Sequence, residues 1–272
     1  MRGGAHAVPR ARRTGWFGAL LAVALASVLA FLGLPVLAIF LETSPGALVA
    51  SLGQPEARDA LLLSLRTTAA AVALILLVGT PTAYLLATRS FRGRSLVVTL
   101  VELPLVLPPA VAGIALLASV GPGGILGPVT GDSLALQTSG VVVALTFVAS
   151  PFYIRQAQAA FGALDRSWLE AARTLGASEA RTFATVAIPA ALPGLAAGTA
   201  LALGRALGEF GATLIFAGSF QGITQTVPLA IYDRFATDFD AALALAAVLV
   251  VISGALLLTV KLVGRSSPLS GA

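Results

Sequence analysis

The chain has 272 residues, of which 57% are apolar and only 11% are charged, a composition that excludes a water-soluble domain and indicates an integral membrane protein. Its 17 Lys and Arg outnumber its 12 Asp and Glu, but the cations are scattered over short loops and form no basic domain that could bind nucleic acid. The absence of cysteine excludes disulfides, thiolate metal sites and cysteine nucleophiles.

Six apolar runs follow one another along the chain, each long enough to cross the core of a bilayer. They predict an all-α protein with about six transmembrane helices, near residues 16–40, 60–87, 96–119, 139–160, 187–217 and 240–262. Residues 1–14 are predicted to form a flexible tail, 15–264 one transmembrane domain and 265–272 a short frayed end. The first run is longer than the core of a signal peptide and five more runs follow it, so we interpret it as an uncleaved span.

The distribution of charge predicts the orientation in the membrane. In a six-span chain, 13 of the 17 cations fall on one side, in the first tail, the loop after the second run, the long loop before the fifth run and the C-terminal end. The opposite loops carry two cations, Arg58 and Arg234, against seven carboxylates. By the positive-inside rule, both termini and the long loop 161–186 are therefore cytoplasmic.

The third run contains three prolines within six residues, Pro104, Pro108 and Pro109. Each proline lacks an amide donor and collides with the preceding turn, so this helix must kink or break. Irregular backbone at membrane depth is tolerated only where it is buried in protein or faces a water-filled cavity. We therefore expect the third run either to line the transport pathway or to pack inside the helix bundle.

Residues 121–140 follow the third run and are rich in glycine and proline, which predicts a turn-rich loop on the outer side. Two roles fit this loop. It is either a passive connector or a docking surface for a protein that delivers the solute.

The polar segment between the fourth and fifth runs has the pattern of two short helices. Ser167 and Glu170 have the spacing of a capping box, which predicts a helix start near residue 168. Gly176 can end this helix in a left-handed conformation, Ser178 can cap a second helix, and Pro189 marks the entry into the fifth run. Apolar residues recur at helical spacing in the first helix, at Trp168, Ala171, Ala172 and Leu175.

This segment resembles the cytoplasmic loop of ABC-importer permeases, whose pattern is Glu-Ala-Ala, three residues, Gly, nine residues, two aliphatics one residue apart, and Pro. Every spacing is met by Glu170, Ala171, Ala172, Gly176 and Pro189, with valine and isoleucine at the aliphatic positions. The resemblance implies a type I ABC-importer permease fold, in which residues 170–176 form a coupling helix seated in a groove of a separate ATPase subunit.

The chain has no Walker A sequence and so cannot itself cradle the phosphates of ATP. The resemblance therefore implies that ATP and Mg are used by the partner ATPase, and that this chain is a transport subunit and binds no cofactor. We also find no metal-ligand cluster and no pairing of a nucleophile with a base that would indicate an enzyme.

The fifth run carries two charges inside an apolar sequence. Arg205 and Glu209 are four residues apart and can pair on one helix face. Gly204, Gly208 and Gly211 surround them with surface that has no side chains, which allows another helix to approach closely. We interpret this region as the centre of a permease interface with a gate beside the pathway. An ion pair that only locks helices together is the alternative.

Residues 208–218 and 224–232 resemble the molybdate and tungstate branch of these permeases, and sulfate or thiosulfate permeases are the related alternative. The resemblance implies a permease homodimer, two ATPase subunits and an extracytoplasmic binding protein that selects a tetrahedral oxyanion. It also implies a bacterial-type plasma (inner) membrane location.

A transporter of another class would also fit the buried charges. A proton-coupled secondary transporter would use Glu102 or Glu209 as a buried proton carrier and would need no ATPase. In that case the polar loop would be only a connector. The two classes differ in whether uptake depends on ATP.

Overall fold

The computed structural model describes residues 15–130 and 134–265, and this part of the chain contains helices and no β-strand. The predicted tail 1–14 and residues 266–272 of the predicted frayed end lie outside the described residues, whereas Arg265 still belongs to the last helix.

The helices are, in chain order, α1 (Gly15–Glu42), α2 (Pro45–Gly53), α3 (Pro55–Thr88), α4 (Arg94–Val106), α5 (Pro109–Val120), α6 (Gly127–Thr130), α7 (Thr138–Gly162), α8 (Arg166–Thr174), α9 (Glu179–Thr182), α10 (Ile188–Leu207), α11 (Gly211–Ala217), α12 (Val227–Phe235) and α13 (Phe239–Arg265). A π-helical turn at Phe183–Ala187 joins α9 to α10 without a break. Within the described residues, five helices are long and apolar enough to cross a membrane: α1, α3, α7, the continuous helix Glu179–Leu207, and α13. The predicted first, second, fourth and sixth runs each correspond to one of these long helices.

The third predicted run is two helices. α4 ends at Val106 and α5 begins at Pro109, with Leu107 and Pro108 in extended conformations between them. Proline disfavours a helical conformation in the residue before it, so Leu107 leaves the helix, whereas Pro104 is accommodated within α4. In the single chain no residue of α4 is buried and Pro108 is exposed, whereas α5 buries Ala112, Gly113 and Leu116, so only the second half of this run packs inside the bundle.

The bounds of the fifth predicted run, 187–217, differ from those of the observed helix at both ends. The helix begins earlier, at Glu179, because the π-helical turn accommodates Pro189: the amide of Ile188 donates to the carbonyl of Phe183, five residues back. It also ends earlier, at Leu207, with Gly208 at its C-cap, and residues 208–210 separate it from α11. The predicted run is therefore not one continuous helix to residue 217.

Helices α3, α7 and α10 form the centre of the fold. Their contact surfaces are built largely from alanine and glycine, which lets the backbones approach closely. The buried ring of Tyr153 on α7 lies against Gly79 of α3 and Gly198 of α10, where an added Cβ would come within 3.0 Å and 3.2 Å of the ring. Its hydroxyl is 2.6 Å from the hydroxyl of Thr80. Tyr153 therefore ties the three central helices together.

Ion pairs join neighbouring segments at each of the two opposite ends of the bundle. At one end Arg89, which follows α3, lies 3.4 Å from Glu179 in the long polar loop. At the other end Arg234 of α12 pairs with Glu56, in the first turn of α3. The loop after α3 and the long polar loop are therefore neighbours, as the predicted sidedness requires.

Candidate functional site

The first helix of the long polar loop, α8, begins at Arg166 and is capped by Asp165. The amide of Ser167 donates to the Asp165 carboxylate over 2.9 Å. The predicted capping box of Ser167 and Glu170 is therefore wrong, because an ionised carboxylate two residues earlier already accepts a free amide of the first turn and interacts favourably with the helix dipole. The same hydrogen bond lowers the pKa of Asp165.

The end of α8 has the predicted geometry. Gly176 adopts φ +83°, in the left-handed region that favours glycine. Its amide donates to the carbonyl of Arg173, and the amide of Ala177 donates to that of Ala172, the pair of bonds that defines a Schellman turn. Ser178 caps α9 by accepting from the amide of Arg181, as predicted. Both ends of α8 are thus fixed by local hydrogen bonds.

Three of the four apolar residues predicted for α8 are exposed, and the fourth, Ala172, is half-buried. Trp168 is 53% exposed and Leu175 is 88% exposed, while Ala171 also faces solvent. The one buried side chain of α8 is Leu169, at 5%, which belongs to the same buried cluster as Phe161 and Ala187. Leu169 is not recognisable as the anchor from the sequence, since periodicity alone does not distinguish it from its neighbour Trp168. α8 is therefore anchored by one side chain and presents its other large apolar groups outward.

The second candidate region is the junction between α10 and α11. The Arg205 guanidinium lies 2.6 Å from the Glu209 carboxylate, which confirms the predicted pair. Glu209 lies beyond the end of α10, however, so the pair spans the break between α10 and α11 and does not lie on one continuous helix face. The other carboxylate oxygen of Glu209 accepts the amide of Ala212 over 2.6 Å and so caps α11. Glu209 is only 1% exposed, whereas Arg205 is 26% exposed.

The structure brings the two interrupted runs together at Gly211. A Cβ added to Gly211 would lie 2.7 Å from the Cβ of Pro109, so the first residues of α11 and α5 are in tight contact. The neighbouring glycines behave differently. A Cβ on Gly204 would come no nearer than 3.9 Å to Leu257, and one on Gly208 would meet only the carbonyl of Gly204 within its own segment. Within the described residues of the single chain, another helix therefore approaches closely at Gly211 and not at Gly204 or Gly208.

Glu102 of α4 has a partner that was not predicted from the sequence. Its carboxylate lies 3.5 Å from the guanidinium of Arg155 on α7. Arg155 lies near the end of the predicted run 139–160 and Glu102 near the start of the predicted run 96–119, so the two side chains lie at matching depths. Both carboxylates considered as proton carriers, Glu102 and Glu209, are therefore ion-paired. Within residues 15–130 and 134–265, no group of three His, Cys, Asp or Glu could hold a metal ion.

Comparison with known proteins gives consistent matches over most of the chain. Residues 79–263 match the family model described as the binding-protein-dependent transport system inner membrane component. The molybdenum transport system permease protein ModB of Mycobacterium tuberculosis is 41% identical over 242 residues, which cover 88% of this chain and 90% of that protein. A probable molybdenum ABC transporter permease protein of Haloferax volcanii is 39% identical over 274 residues, covering 96% and 98%.

A solved structure extends the comparison to the fold. A chain of a bacterial ABC transporter involved in the import of the acidic polysaccharide alginate superposes with a TM-score of 0.69, covering 93% of this chain and 96% of that chain. Its sequence identity is 18%, so this likeness establishes the fold alone.

Proposed function

The chain belongs to the family of binding-protein-dependent transport system inner membrane components, and we propose that it is the permease subunit of an ATP-binding-cassette importer that moves molybdate or tungstate into the cytoplasm. The solute is supported by 39% and 41% identity, over most of the chain, to relatives named for molybdenum transport. Sulfate, a tetrahedral oxyanion of the same charge, is the competing solute.

The main structural observation that supports the importer function is the exposure of α8. A short helix with fixed ends that exposes Trp168 and Leu175 to water suits the groove of a second protein, since exposed apolar surface commonly marks an interaction site. We propose that this protein is the ATPase subunit and that α8 is the coupling helix. The coupling residues are Glu170, Ala171, Ala172, Gly176 and Pro189. ATP and Mg are bound by the ATPase, and this chain performs no hydrolysis.

A second copy of the chain would complete the permease. α4 has no buried residue, and its apolar side chains Leu96, Leu100 and Leu103, which share one helix face, are exposed in the single chain. α5 begins with the exposed Pro109 beside α11. We propose a homodimer in which these segments lie near the twofold axis and the pathway runs between the two copies. Lipid would cover the remaining apolar surface.

We assign the gate to the region where the two interrupted runs meet. Irregular backbone at membrane depth is expected only where it is buried in protein or lines a water-filled cavity. The gate would consist of the residues on either side of the Pro109–Gly211 contact: Pro104, Pro108, Pro109, Arg205, Gly208, Glu209 and Gly211. Because Arg205 is already paired with Glu209 at 2.6 Å, it would attract a passing anion only weakly, as release requires.

The importer would take its oxyanion from an extracytoplasmic binding protein, which supplies most of the selectivity. The positive-inside distribution of arginine supports a multi-pass arrangement in a bacterial-type plasma membrane, with both termini and α8 in the cytoplasm. Alternating access would follow, with the motion of the ATPase subunits transmitted through α8.

Uptake by proteoliposomes tests this function. Vesicles that contain the permease and its ATPase, supplied with the loaded binding protein, should accumulate radiolabelled molybdate only when ATP is present on the ATPase side. Excess tungstate should compete with uptake, whereas excess sulfate should not. Uptake driven by a proton gradient without ATPase would refute the importer, and stronger competition by sulfate would reassign the solute.

A further inference from the structure

The position of α8 depends on very few contacts. Leu169 is its one buried side chain, and the turn at Gly176 is its covalent connection to α9. A nine-residue helix held in this way could rock about the turn unless a further contact fixes its C-terminal end. Glu179, the first residue of α9, supplies such a contact.

Glu179 closes the turn by an ion pair with Arg173 in the last turn of α8. The Arg173 Nε lies 3.2 Å from Glu179 Oε1, and its Nη2 donates to Oε2 over 3.3 Å. Because two guanidinium nitrogens each lie near a different oxygen of the carboxylate, the ion pair restrains direction as well as distance. The angle between α8 and α9 is therefore set by this pair together with the glycine turn.

The same carboxylate also contacts a third element. Arg89, the C-cap residue of α3, places Nη2 3.4 Å from Glu179 Oε1. The rings of Tyr84, Phe161 and Phe183 also join the end of α3 to the π-helical turn, but this aromatic cluster contains no residue of α8. Glu179 thus pairs with α8 and with the end of α3 at the same time.

We propose that Glu179 is a positioning residue that fixes α8 against the end of α3, so that a displacement of α8 reaches α3 as well as α10. This inference rests on the proposed function, in which α8 receives the motion of an ATPase. The ion pairs are solvent-exposed and so contribute little to folding stability. Loss of the carboxylate should therefore change how efficiently motion is transmitted and leave the amount of folded permease unchanged.

The test measures molybdate imported per ATP hydrolysed by the reconstituted complex. E179Q should lower this ratio about two- to fivefold, the range that corresponds to losing exposed ion pairs. R89Q should lower it less, because the pair with Arg173 remains. R92Q is the matched control: Arg92 lies in the same loop, and no ion pair of Arg92 occurs among the described residues. Its ratio should equal that of the wild type.

Salt provides a second readout that a purely structural role would not change. Raising the ionic strength should lower the wild-type ratio towards that of E179Q, whose own ratio should change little, because exposed ion pairs are screened. An E179Q ratio equal to that of the wild type, or equal losses in R89Q and R92Q, would overturn the proposal.

A distance measurement separates failure of this inference from failure of the proposed function. The chain has no cysteine, so spin labels on S90C and S167C report only the distance between the loop after α3 and the start of α8. Labelled chains diluted with unlabelled ones should give a narrow distance distribution that broadens in E179Q. An unchanged distribution refutes the positioning role. Absence of ATP-dependent uptake by the wild type refutes only the importer function.

Discussion

Replacing Arg205 alone should destabilise the permease more than replacing both members of its ion pair. Glu209 is 1% exposed and has two polar contacts, the Arg205 guanidinium at 2.6 Å and the amide of Ala212 at 2.6 Å. In R205M the buried carboxylate loses its cationic partner and keeps only its bond from Ala212. We therefore expect a loss of about 3 kcal/mol in the free energy of unfolding, the lower end of the range for breaking a buried pair from one side.

The other two variants complete the cycle. E209Q should cost about 1.5 kcal/mol, because Arg205 is 26% exposed and can regain hydration, while the new amide oxygen still accepts the Ala212 bond. R205M/E209Q leaves no unpaired charge and should cost about 2 kcal/mol, less than R205M alone. R234M is the surface control: it breaks the exposed pair with Glu56 and should cost less than about 1 kcal/mol.

Unfolding of the purified permease by SDS in mixed micelles, followed by far-UV circular dichroism, gives the four free energies. The reasoning requires the double variant to be more stable than R205M. If the double variant loses about 4.5 kcal/mol, the sum of the single losses, the two side chains do not act as a pair. In that case each side chain stabilises the junction between α10 and α11 through its own separate contacts.

Three further predictions concern single positions. G176V should abolish stimulation of the ATPase, because a β-branched residue is strained at φ +83° and would change the direction of α8. The amount of inserted permease should stay normal, because α8 is proposed to lie outside the membrane. G211A should cost about 1–3 kcal/mol in SDS unfolding, since its Cβ would lie 2.7 Å from that of Pro109, whereas G204A, with nothing nearer than 3.9 Å, should be neutral or slightly stabilising. The pKa of Asp165 is lowered in the folded chain, so its cap is fully present above the unfolded pKa and is lost as pH falls through the folded pKa. Hydrogen exchange at the start of α8 should thus be faster in D165A than in the wild type at pH 7. D165N should keep the wild-type protection factor at pH 7, and that protection factor should not fall as the pH is lowered.

Local chemistry accounts for the features that the sequence predicts well. Gly176 and Ser178 act through the backbone within two or three residues, so their roles can be read without knowing the fold. The break near Pro108 is likewise a local consequence of proline geometry. The four long apolar runs that correspond to single helices need only length and composition.

Competition between local motifs explains the error at the start of α8. Asp165 and Ser167 are both good N-caps, and the sequence offers no tertiary information to choose between them. The structure uses Asp165, which starts the helix two residues before the predicted position. The break after Leu207 has a related cause, since Gly208 alone is a weak helix terminator and the new helix depends on the Glu209 cap.

Relations between distant elements account for the remaining misses. Pairing of Glu102 with Arg155 depends on the relative depth of α4 and α7, which periodicity in either run does not report. The exposure of Trp168 and Leu175 also depends on the arrangement of distant elements. Helical spacing marks them as one apolar set, but whether another part of the chain covers that set is a property of the fold.

The continuity of the helix Glu179–Leu207 connects the two candidate regions. Its 29 residues span about 43 Å at 1.5 Å per residue, from the turn behind α8 to the residues before the Arg205–Glu209 junction. A helix that stopped at Pro189 would leave a flexible joint between the proposed coupling helix and the proposed gate, whereas the π-helical turn keeps the helical hydrogen bonds continuous. A displacement of α8 would therefore be transmitted to Leu207 by movement of this helix as one rigid body. The break at residues 208–210 is where that motion would be converted into a change at the contact between Pro109 and Gly211.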